Sequence, residues 1–471
     1  MRRLPYILLL LCLLLSVLSP CAFALEAPQL NGKAAVLIDL DSGRVLFGLN
    51  MDEERAPASL TKVMTVLLAL EALFALWLLY RSGCIKSAAQ WSVAVTLLLA
   101  AFVPRLLALK YETLDYQDWL RIWLTALREN GAWVGLSKPI WNCNYNVPYL
   151  YFLALISKSD IYELLLIKLL SIFFDVLMAY VVMKFVGIFT DSPARRLIAF
   201  IGILWLPTVF LNGAYWGQCD VIYASFAVLA LYLALSDRPG WSVAAAAISV
   251  SFKLQGIFLL PIYPILLFAK KVKIRHLFLF PAVYIAALLP AVLAGRNFWE
   301  LLTLYYNNTS TIGDGLNYNS SSIYSLIDFS RLPVESAATI GVLLAFFLCG
   351  VMYVWFLLRR EEISDRAILA AAVVLCLGVP YLLPHMHDRY FFLADVLTFA
   401  LAVVVPAMSL PALLVSFGSF LGYHAYLRMR FLVPMSWGGV SMLLALLSAL
   451  GFTAFCFRQP KKLLTNGEDL L

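Results

Sequence analysis

Charged side chains are scarce in this chain of 471 residues, because Asp, Glu, Lys and Arg together make up only 13% of it. A soluble domain contains about 25% charged residues and about 45–50% apolar residues. Hydrophobic residues reach 63% here, and the mean hydropathy is +0.86. The composition therefore excludes a water-soluble globular domain from about residue 63 onward.

Recognisable metal and disulfide patterns are absent as well. The eight cysteines are scattered, without a Cys-x-x-Cys pair or a His/Cys spacing typical of a zinc site. The net charge is +7, but Lys and Arg gather in short loops without a basic face, so nucleic-acid binding is not indicated. We expect neither a metal ion nor a bound cofactor.

Long apolar runs are what the sequence has in place of charge. About 20 apolar residues cross the roughly 30 Å of a bilayer core as a helix, and a helix satisfies its own backbone hydrogen bonds. The sequence therefore predicts an all-α polytopic membrane protein, a multi-helix bundle with about 12–13 spans. The clearest runs are residues 91–109, 164–186, 221–235, 277–293, 337–358 and 440–457.

The amino-terminal part differs from the rest. Residues 1–24 carry two early arginines, an apolar stretch and small residues near the end, which is typical of a signal peptide; an uncleaved anchor is the alternative. Residues 34–40 and 44–50 are short strand-forming stretches around a turn at Ser42 and Gly43, and they predict a β-hairpin.

The distribution of Lys and Arg predicts the orientation in the membrane. If Lys62 lies outside, most basic loops fall on the cytoplasmic side, including residues 270–275 and the pair Arg359 and Arg360. The opposite side then collects polar segments at membrane depth, where such groups are costly and usually functional. These segments are residues 114–119, 215–220, 252–255 and 384–390, with the polar loop 307–328. We therefore predict a site on the extracytoplasmic face of a multi-pass cell-membrane protein.

A carboxylate, a His-x-His pair and a buried lysine suit a transfer reaction on a lipid-linked phosphate substrate. Lys253 and Arg389 can pair with a phosphate through charge-assisted hydrogen bonds. An aspartate of the first outer loop can remove a proton from an acceptor hydroxyl, while His385 or His387 orients or protonates the departing phosphate. Each residue alone also has an ordinary alternative, such as a solvated loop aspartate, a snorkelling lysine or an interfacial histidine cap. Their co-location favours function.

Ordered motifs over more than half of the chain carry a family resemblance. The matching motifs are Asp115-Tyr116 and the segments 144–151 (NYNVPYLY), 168–175 (KLLSIFFD), 216–223 (WGQCDVIY), 251–255 (SFKLQ) and 384–395 (PHMHDRYFFLAD). From about residue 101 to 427 the chain resembles bacterial relatives of the second mannosyltransferase of GPI-anchor assembly, the PIG-V type, within the GT-C glycosyltransferases. Departures are mild: Leu114 stands where a Gly is common, and Val147 replaces a Pro.

This resemblance implies a GT-C-type helix bundle that transfers a sugar, usually mannose, from a polyprenyl-phosphate donor with inversion. It also implies that the first-loop aspartate is the base, with Asp115 as the best match and Asp118 in reserve. The implied partners are membrane lipid, the polyprenyl-phosphate-linked sugar, and a glycan or protein acceptor. The residues predicted to bind the donor are Lys253, Gln255, His385, His387, Arg389, Gln218 and Asp220.

Residues 25–71 carry a second, different resemblance. Residues 34–44 (AAVLIDLDSGR) and 57–65 (PASLTKVMT) are similar to the beginning of D-alanyl-D-alanine carboxypeptidases, the S11 peptidases among the penicillin-binding proteins. In that family Ser59 would be the acylated nucleophile and Lys62 its activating partner. The Lys-Thr-Gly motif that such an enzyme needs occurs nowhere in the chain. We therefore expect a truncated segment without peptidase activity.

The predicted division is a signal peptide (1–24), a carboxypeptidase-like segment (25–72), a GT-C-like membrane domain (73–458) and a cytoplasmic tail (459–471). The leading hypothesis for the function is a membrane glycosyltransferase similar to mannosyltransferases. A carboxypeptidase anchored by extra helices is the second hypothesis. A transporter of the same lipids is the third, although the internal repeats that are common in transporters are not seen.

Overall fold

The structure is a computed structural model that describes residues 35–38, 45–49, 58–309 and 315–458. The predicted signal peptide and cytoplasmic tail lie outside these residues. The chain divides into two compact units, Met1–Ala58 and Ser59–Leu471.

The first unit contains the predicted β-hairpin. Strand β1 (Ala35–Ile38) pairs antiparallel with strand β2 (Val45–Leu49). The predicted strands are therefore confirmed within the residues that the structure describes. The predicted turn lies outside the described residues. A two-stranded hairpin alone is marginally stable at best in water, so this element brings little stability of its own.

The second unit is almost entirely helical, as predicted. Its first helices are α1 (Ala58–Ser82), α2 (Ala88–Ala108), α3 (Arg121–Glu129), α4 (Ala132–Gly135), α5 (Val147–Ile156), α6 (Glu163–Val186), α7 (Pro193–Trp205), α8 (Pro207–Phe210), α9 (Asp220–Leu235) and α10 (Pro239–Phe252). They are followed by α11 (Tyr263–Phe268), α12 (Ile274–Leu277), α13 (Leu279–Leu293), α14 (Phe298–Thr309), α15 (Val334–Leu358), α16 (Asp365–Leu382), α17 (Phe392–Val404), α18 (Ser409–Arg428) and α19 (Met435–Arg458).

Shorter elements join these helices. π-helical turns occupy Tyr116–Leu120 and Leu211–Trp216, and a 3₁₀-helix occupies Leu254–Ile262. Three brief 3₁₀ turns lie at Ile323–Ser325, Arg360–Glu362 and Pro406–Met408. Strand β3 (Asn317–Tyr318) pairs in parallel with β4 (Met386–His387) and so joins two of the predicted polar segments.

The described residues include eight helices long and apolar enough to cross a membrane, or nine if the bent pair Pro193–Trp205 and Pro207–Trp216 is one span. The all-α polytopic class is thus confirmed. Five further apolar helices have only 10–17 residues: α5, α9, α10, α17, and the 3₁₀-helix continued by α11. The predicted count of about 12–13 spans needs most of these short helices to cross as well.

Each of the five short helices begins or ends beside one cluster of polar side chains, which includes Asp220, Lys253 and Arg389. Non-helical backbone at membrane depth is tolerated only where protein covers it or where it lines a cavity. α7 shows how such a break arises. Pro207 lacks the N–H that a continuing helix needs, and the chain bends there by 45°. The π-helical turn then ends at Gly217, whose φ of +81° suits glycine and redirects the chain.

Helix α1 is part of the core of the second unit. Ala75 and Leu79 are fully buried, and the ring of Phe74 stacks on that of Phe173 in α6 at 5.5 Å between centroids. The helix runs without interruption across residue 72, where the sequence suggested a domain boundary. Its carboxyl end is at Gly83, which has a φ of +66°, a conformation common just after a helix.

Candidate active site

Asp115 is held by hydrogen-bond donors from distant parts of the chain. It immediately precedes the π-helical turn Tyr116–Leu120, a kind of turn frequent at functional sites. Its Oδ2 accepts hydrogen bonds from Trp216 Nε1 at 2.8 Å and from Gln218 Nε2, and its Oδ1 accepts one from the Tyr426 hydroxyl. A carboxylate has about four acceptor positions. The three donors therefore fix the carboxylate and leave about one position open.

Gln218 connects Asp115 to the cationic side of the site. Its amide nitrogen donates to Asp115, while its Oε1 accepts from the Tyr145 hydroxyl at 2.9 Å and lies 3.5 Å from Lys253 Nζ. The Lys253 ammonium also lies over the Tyr145 ring, 4.9 Å from its centroid. The Gln218 side chain thus fixes the Asp115 carboxylate, the Tyr145 phenol and the Lys253 ammonium group relative to one another.

Asp220 and Lys253 form a buried ion pair. Their side chains are only 2% and 6% exposed. Removal of either partner would therefore leave an uncompensated buried charge. Asn212 Nδ2 donates to the second oxygen of Asp220 at 2.7 Å, so both carboxylate oxygens have a partner. Asp220 is the first residue of α9 and Lys253 follows the last residue of α10, so the short helices present both charges at the same end.

Arg389 lies among three carboxylates. Its guanidinium is 3.7 Å from Asp115, 3.6 Å from Asp220 and 3.7 Å from Asp388, and it stands 5.1 Å from the ring centroid of Trp216. These contacts are longer than good hydrogen bonds. Arg389 Nε has no hydrogen-bond partner within the part of the chain that the structure describes. A guanidinium that is only 17% exposed and has an unused donor is suited to an anionic ligand.

The β4 segment and the residue after it supply two titratable groups outside the spanning helices, the half-buried His387 and the buried Asp388. Burial, reinforced by the positive charge of Arg389, lowers the pKa of His387 to about 4. Burial also raises the pKa of Asp388 to about 7, although Arg389 acts against this shift. His387 is therefore neutral at pH 7, and its ring stacks on that of Tyr318 with 4.7 Å between centroids.

Two cavities meet at this cluster. The larger, of about 650 Å³, is lined by Lys253, Gln255, Arg296, Glu300 and Tyr390 among others. The smaller, of about 300 Å³, is lined by Asp115, Trp119, Trp123, Asp388 and Tyr426 among others. Ligand pockets have volumes of about 300–1,000 Å³. The residues that line both cavities are Asn142, Asn144, Tyr145, His387 and Arg389.

The structure therefore brings most of the predicted site residues together. Asp115, Gln218 and Asp220 meet Lys253 and Arg389 directly, and His387 and Gln255 line the same cavities. Asp118 and His385 are placed differently. Asp118 is exposed. Of these two aspartates, only Asp115 lines the smaller cavity.

The positions of His385 and of the predicted peptidase pair are also defined in part. His385 Nδ1 lies 2.8 Å from the Gly315 carbonyl, and His385 lines neither cavity. His385 precedes strand β4 and has a left-handed φ of +59°, so the strand alternation that would align it with His387 does not apply there. Lys62 is exposed in the first turns of α1, while the side chain of Ser59 lies outside what the structure describes.

Several side chains of the site had no role assigned from the sequence, among them Trp216 and Asn212, which donate to Asp115 and Asp220. Tyr426 and Tyr145 belong to a residue type that usually marks a membrane interface or packing. Asp388 stands between two residues that were singled out, and Arg296 lies in a loop. Adjacency to the His-x-His motif was a usable signal for Asp388. Tyr426 is 311 residues from its partner Asp115, and no local pattern connects them.

Many apolar helices around a buried carboxylate–cation cluster with two adjoining cavities define a polytopic membrane enzyme. Comparison with known proteins gives the class of reaction: the model of glycosyltransferase family 87 matches residues 145–380, just over half of the chain. The chain belongs to glycosyltransferase family 87, a family of the GT-C type. The GT-C resemblance predicted from the motifs is thereby confirmed, and the protein is a membrane glycosyltransferase.

The amino-terminal resemblance is confirmed as well. The model of D-alanyl-D-alanine carboxypeptidase matches residues 21–91. The chain is 44% identical over 71 residues to D-alanyl-D-alanine carboxypeptidase DacF of Bacillus subtilis, covering 14% of this chain and 18% of that protein. It is 47% identical over 55 residues to DacC of Escherichia coli, covering 11% of this chain and 14% of that protein. The chain thus spans less than a fifth of the length of these curated relatives.

Proposed function

We propose that this enzyme moves mannose from a polyprenyl-phosphate donor to an acceptor hydroxyl on the extracytoplasmic side, with inversion at the sugar carbon. Membership in a GT-C-type family supports sugar transfer. The choice of donor, the face of the membrane and the role of Asp115 are parts of the proposal. Each is supported by the charges, cavities and chain direction of the site.

The larger cavity suits the donor phosphate. Lys253 and Arg389 line it, and both can bind phosphate oxygens through charge-assisted hydrogen bonds. Arg296 adds a third buried cation to its wall and is paired with Glu300 at 2.8 Å. Gln255 is buried in the same wall, where its amide can orient a sugar hydroxyl. Apolar side chains of the wall, such as Leu254, provide a surface for the start of the isoprenoid chain.

The smaller cavity suits the acceptor, because Asp115 lines it. In the proposed step the acceptor oxygen bonds to the sugar's anomeric carbon while the carbon–oxygen bond to phosphate breaks. The phosphate leaves with the electron pair, and the acceptor proton passes to the open position of Asp115. Attack opposite the phosphate inverts the configuration. Arg389 borders both cavities, where it can stabilise charge that grows on the phosphate.

His387 has a narrower role in this scheme than the sequence suggested. Burial lowers its pKa to about 4, so at neutral pH the ring is a neutral imidazole and not the imidazolium that would act as an acid. A neutral imidazole can still donate one hydrogen bond and accept another. We therefore propose that His387 orients the departing phosphate or a sugar hydroxyl and does not protonate it.

The direction of the chain supports an extracytoplasmic site. Arg195 and Arg196 lie in the first turn of α7, and the continuation of that helix ends at Trp216 in the site. The basic run 270–275 follows α11, which leads away from Lys253. Basic loops therefore lie at helix ends remote from the cluster, and such loops are typically cytoplasmic.

One observation carries the proposal: Arg389 contacts Asp115 and also lines both cavities. The test is to incubate membranes containing the protein with radiolabelled polyprenyl-phosphate mannose and to follow label into products. Wild-type protein should transfer label, and Asp115→Asn should lose at least about 100-fold, since a general base contributes about 10²–10⁴. Failure of wild-type protein to move the sugar overturns the proposed donor.

The matched control is Asp118→Asn. Asp118 is an exposed aspartate three residues from Asp115 in the same turn, so its replacement should leave transfer within about twofold of wild type. If Asp115→Asn turns over at the wild-type rate, Asp115 is not the base. If Asp118→Asn alone abolishes transfer, the reserve aspartate takes that role.

A further inference from the structure

Three polar residues form a stripe along α6 that none of the roles above uses. Lys168, Ser171 and Asp175 follow one another at spacings of three and four, which places them on one face of the helix. All three are at most 1% exposed. Polar groups inside a membrane helix are costly, and an apolar face could pack as well. The presence of three buried polar residues on one helix face therefore indicates a specific role, and their hydrogen bonds show which segments they hold.

Lys168 holds the chain that leads to Asp115. Its ammonium donates to the carbonyl of Ala108 at 2.9 Å and to those of Leu109 and Tyr111. α2 ends at Ala108, where carbonyls lack partners within the helix. The three N–H groups of Lys168 thus fix the backbone from the end of α2 to a point four residues before Asp115.

Ser171 holds the segment that donates to Asp115. Its hydroxyl donates to the carbonyl of Gln218 at 2.7 Å. The same segment approaches α6 closely at Gly213, where an added Cβ would stand 2.9 Å from the Ser171 Cβ. Thr113 closes the arrangement from the other side, because its hydroxyl donates to the Trp216 carbonyl at 2.9 Å. One turn of α6 therefore sets the place of both Asp115 and Gln218.

Asp175 fixes the helices that carry these two segments. It accepts hydrogen bonds from Arg105 of α2 at 3.1 and 2.9 Å. Arg105 in turn donates to the carbonyl of Leu204, near the end of α7, at 2.8 Å. The Arg105–Asp175 pair thus joins the end of α2 and the end of α7 to one face of α6. The same face holds the two loops that follow these helices and carry Asp115 and Gln218.

We propose that Lys168 and Ser171, with the Arg105–Asp175 pair behind them, are positioning residues that set the distance between Asp115 and its donor Gln218. They touch no cavity that we assign to substrate, so they act through the backbone of the two loops. The proposal rests on the proposed function for its kinetic consequence, but its geometric consequence is independent of any activity. Misplacing a catalytic group by about 1 Å can lower the rate by about 100-fold.

The kinetic test compares Lys168→Met and Ser171→Ala with Lys184→Met, a control on the same helix. Lys184 lies near the opposite end of α6 and over the ring of Tyr180. Lys168→Met should lower kcat about 10–100-fold and Ser171→Ala about 3–10-fold, with the donor KM within about twofold. Lys184→Met should change neither constant.

Three kinetic outcomes overturn the proposal: both stripe variants keep the wild-type kcat, the donor KM rises while kcat is kept, or Lys184→Met loses as much as they do. Should Lys168→Met fail to fold, Ser171→Ala decides alone, since it removes one oxygen atom. A simple loss of folded protein would lower the amount of active enzyme and leave the kcat of the folded fraction unchanged.

The second test needs no turnover. Cys219 follows Gln218 and is only 3% exposed, so a small impermeant maleimide should label it slowly in wild-type protein. Ser171→Ala should raise its labelling rate at least about threefold, because the segment loses its anchor. The buried Cys376 on α16 serves as the internal reference in the same mass spectra. Unchanged labelling of Cys219 overturns the positioning role, whereas a wild-type protein without transfer activity refutes only the proposed function.

Discussion

The carboxypeptidase-like amino-terminal match, whose Ser59 and Lys62 lie on α1, and the rest of the helical unit differ in how their candidate chemistry is encoded. The first holds a recognisable linear motif, Ser59-x-x-Lys62. The motif lies within residues 21–91 of this chain, which match the carboxypeptidase family model. The second holds no contiguous catalytic motif, yet Asp115, Gln218 and Arg389 meet there from three distant parts of the chain. In the helical unit Asp115 and Asp220 have hydrogen-bond partners, and two cavities open beside them.

This difference shows what a site requires beyond its reacting residues. Lys62 is exposed on α1, and nothing in the chain supplies the Lys-Thr-Gly motif. A nucleophile needs an oriented base and a binding surface, which the rest of a peptidase fold would provide. Asp115, by contrast, receives three donors and faces a cavity. Similarity of sequence marks ancestry in the first region, while geometry marks a candidate site in the second.

The largest expected effect comes from Arg389→Ala. It leaves Asp115, Asp220 and Asp388 without the guanidinium that lies 3.6–3.7 Å from each. Removing one partner of a buried ionic group is destabilising by about 3–5 kcal/mol. We expect transfer to be lost and the melting temperature in detergent to fall clearly. Arg389→Lys keeps the charge but not the planar fork, so it should recover stability more than activity. Sugar transfer at the wild-type rate in Arg389→Ala would show that this cluster is not the active site. The contrast with the amino-terminal motif would then be lost.

Much of the fold and part of this cluster were predictable from sequence. Long apolar runs specify membrane helices, because the bilayer leaves few other solutions for the backbone. The convergence of Asp115, Asp220, Lys253 and Arg389 followed from charges placed at the ends of apolar runs. The hairpin β1–β2 followed from strand-forming residues around a Ser-Gly turn.

The rest depends on packing that no local pattern records. Tyr426 reaches Asp115 from α18 near the end of the chain, and a tyrosine near a helix end reads equally well as an interfacial residue. The two histidines share one motif, but the left-handed backbone of His385 separates their roles. The short helices beside the cluster also obscured the span count, because a run of 10–17 residues does not reveal whether it crosses the membrane.

An intermediate effect is expected on the pH dependence of stability. Burial raises the pKa of Asp388 from 3.8 to about 7, so its contribution is fully present below pH 3.8 and is lost as pH rises to about 7. Burial lowers the pKa of His387 from 6.5 to about 4, so its contribution is present above pH 6.5 and is lost as pH falls to about 4. The two neighbours therefore oppose each other between pH 4 and 6.5.

Single substitutions should separate these contributions. Asp388→Asn leaves the His387 effect, so melting temperature should rise with pH between about 4 and 6.5. His387→Gln leaves the Asp388 effect, so melting temperature should fall between about pH 4 and 7. Thermal unfolding in detergent across this range measures both slopes, relative to wild type. Slopes of the same sign in the two variants would contradict the assigned burial of one of the two groups.

The smallest expected effect comes from Ser59→Ala. Its rate of sugar transfer should stay within about twofold of wild type. A fluorescent penicillin should not label wild-type protein, whereas it should label the intact Bacillus subtilis carboxypeptidase as a positive control. The matched segment covers 18% of that relative, and acylation needs groups that lie in the remainder of a peptidase fold. Labelling that disappears in Ser59→Ala would show that a short motif on α1 suffices for acylation. A loss of sugar transfer in the same variant would instead join the two regions in one function, since α1 packs against α6, which holds the loops around Asp115.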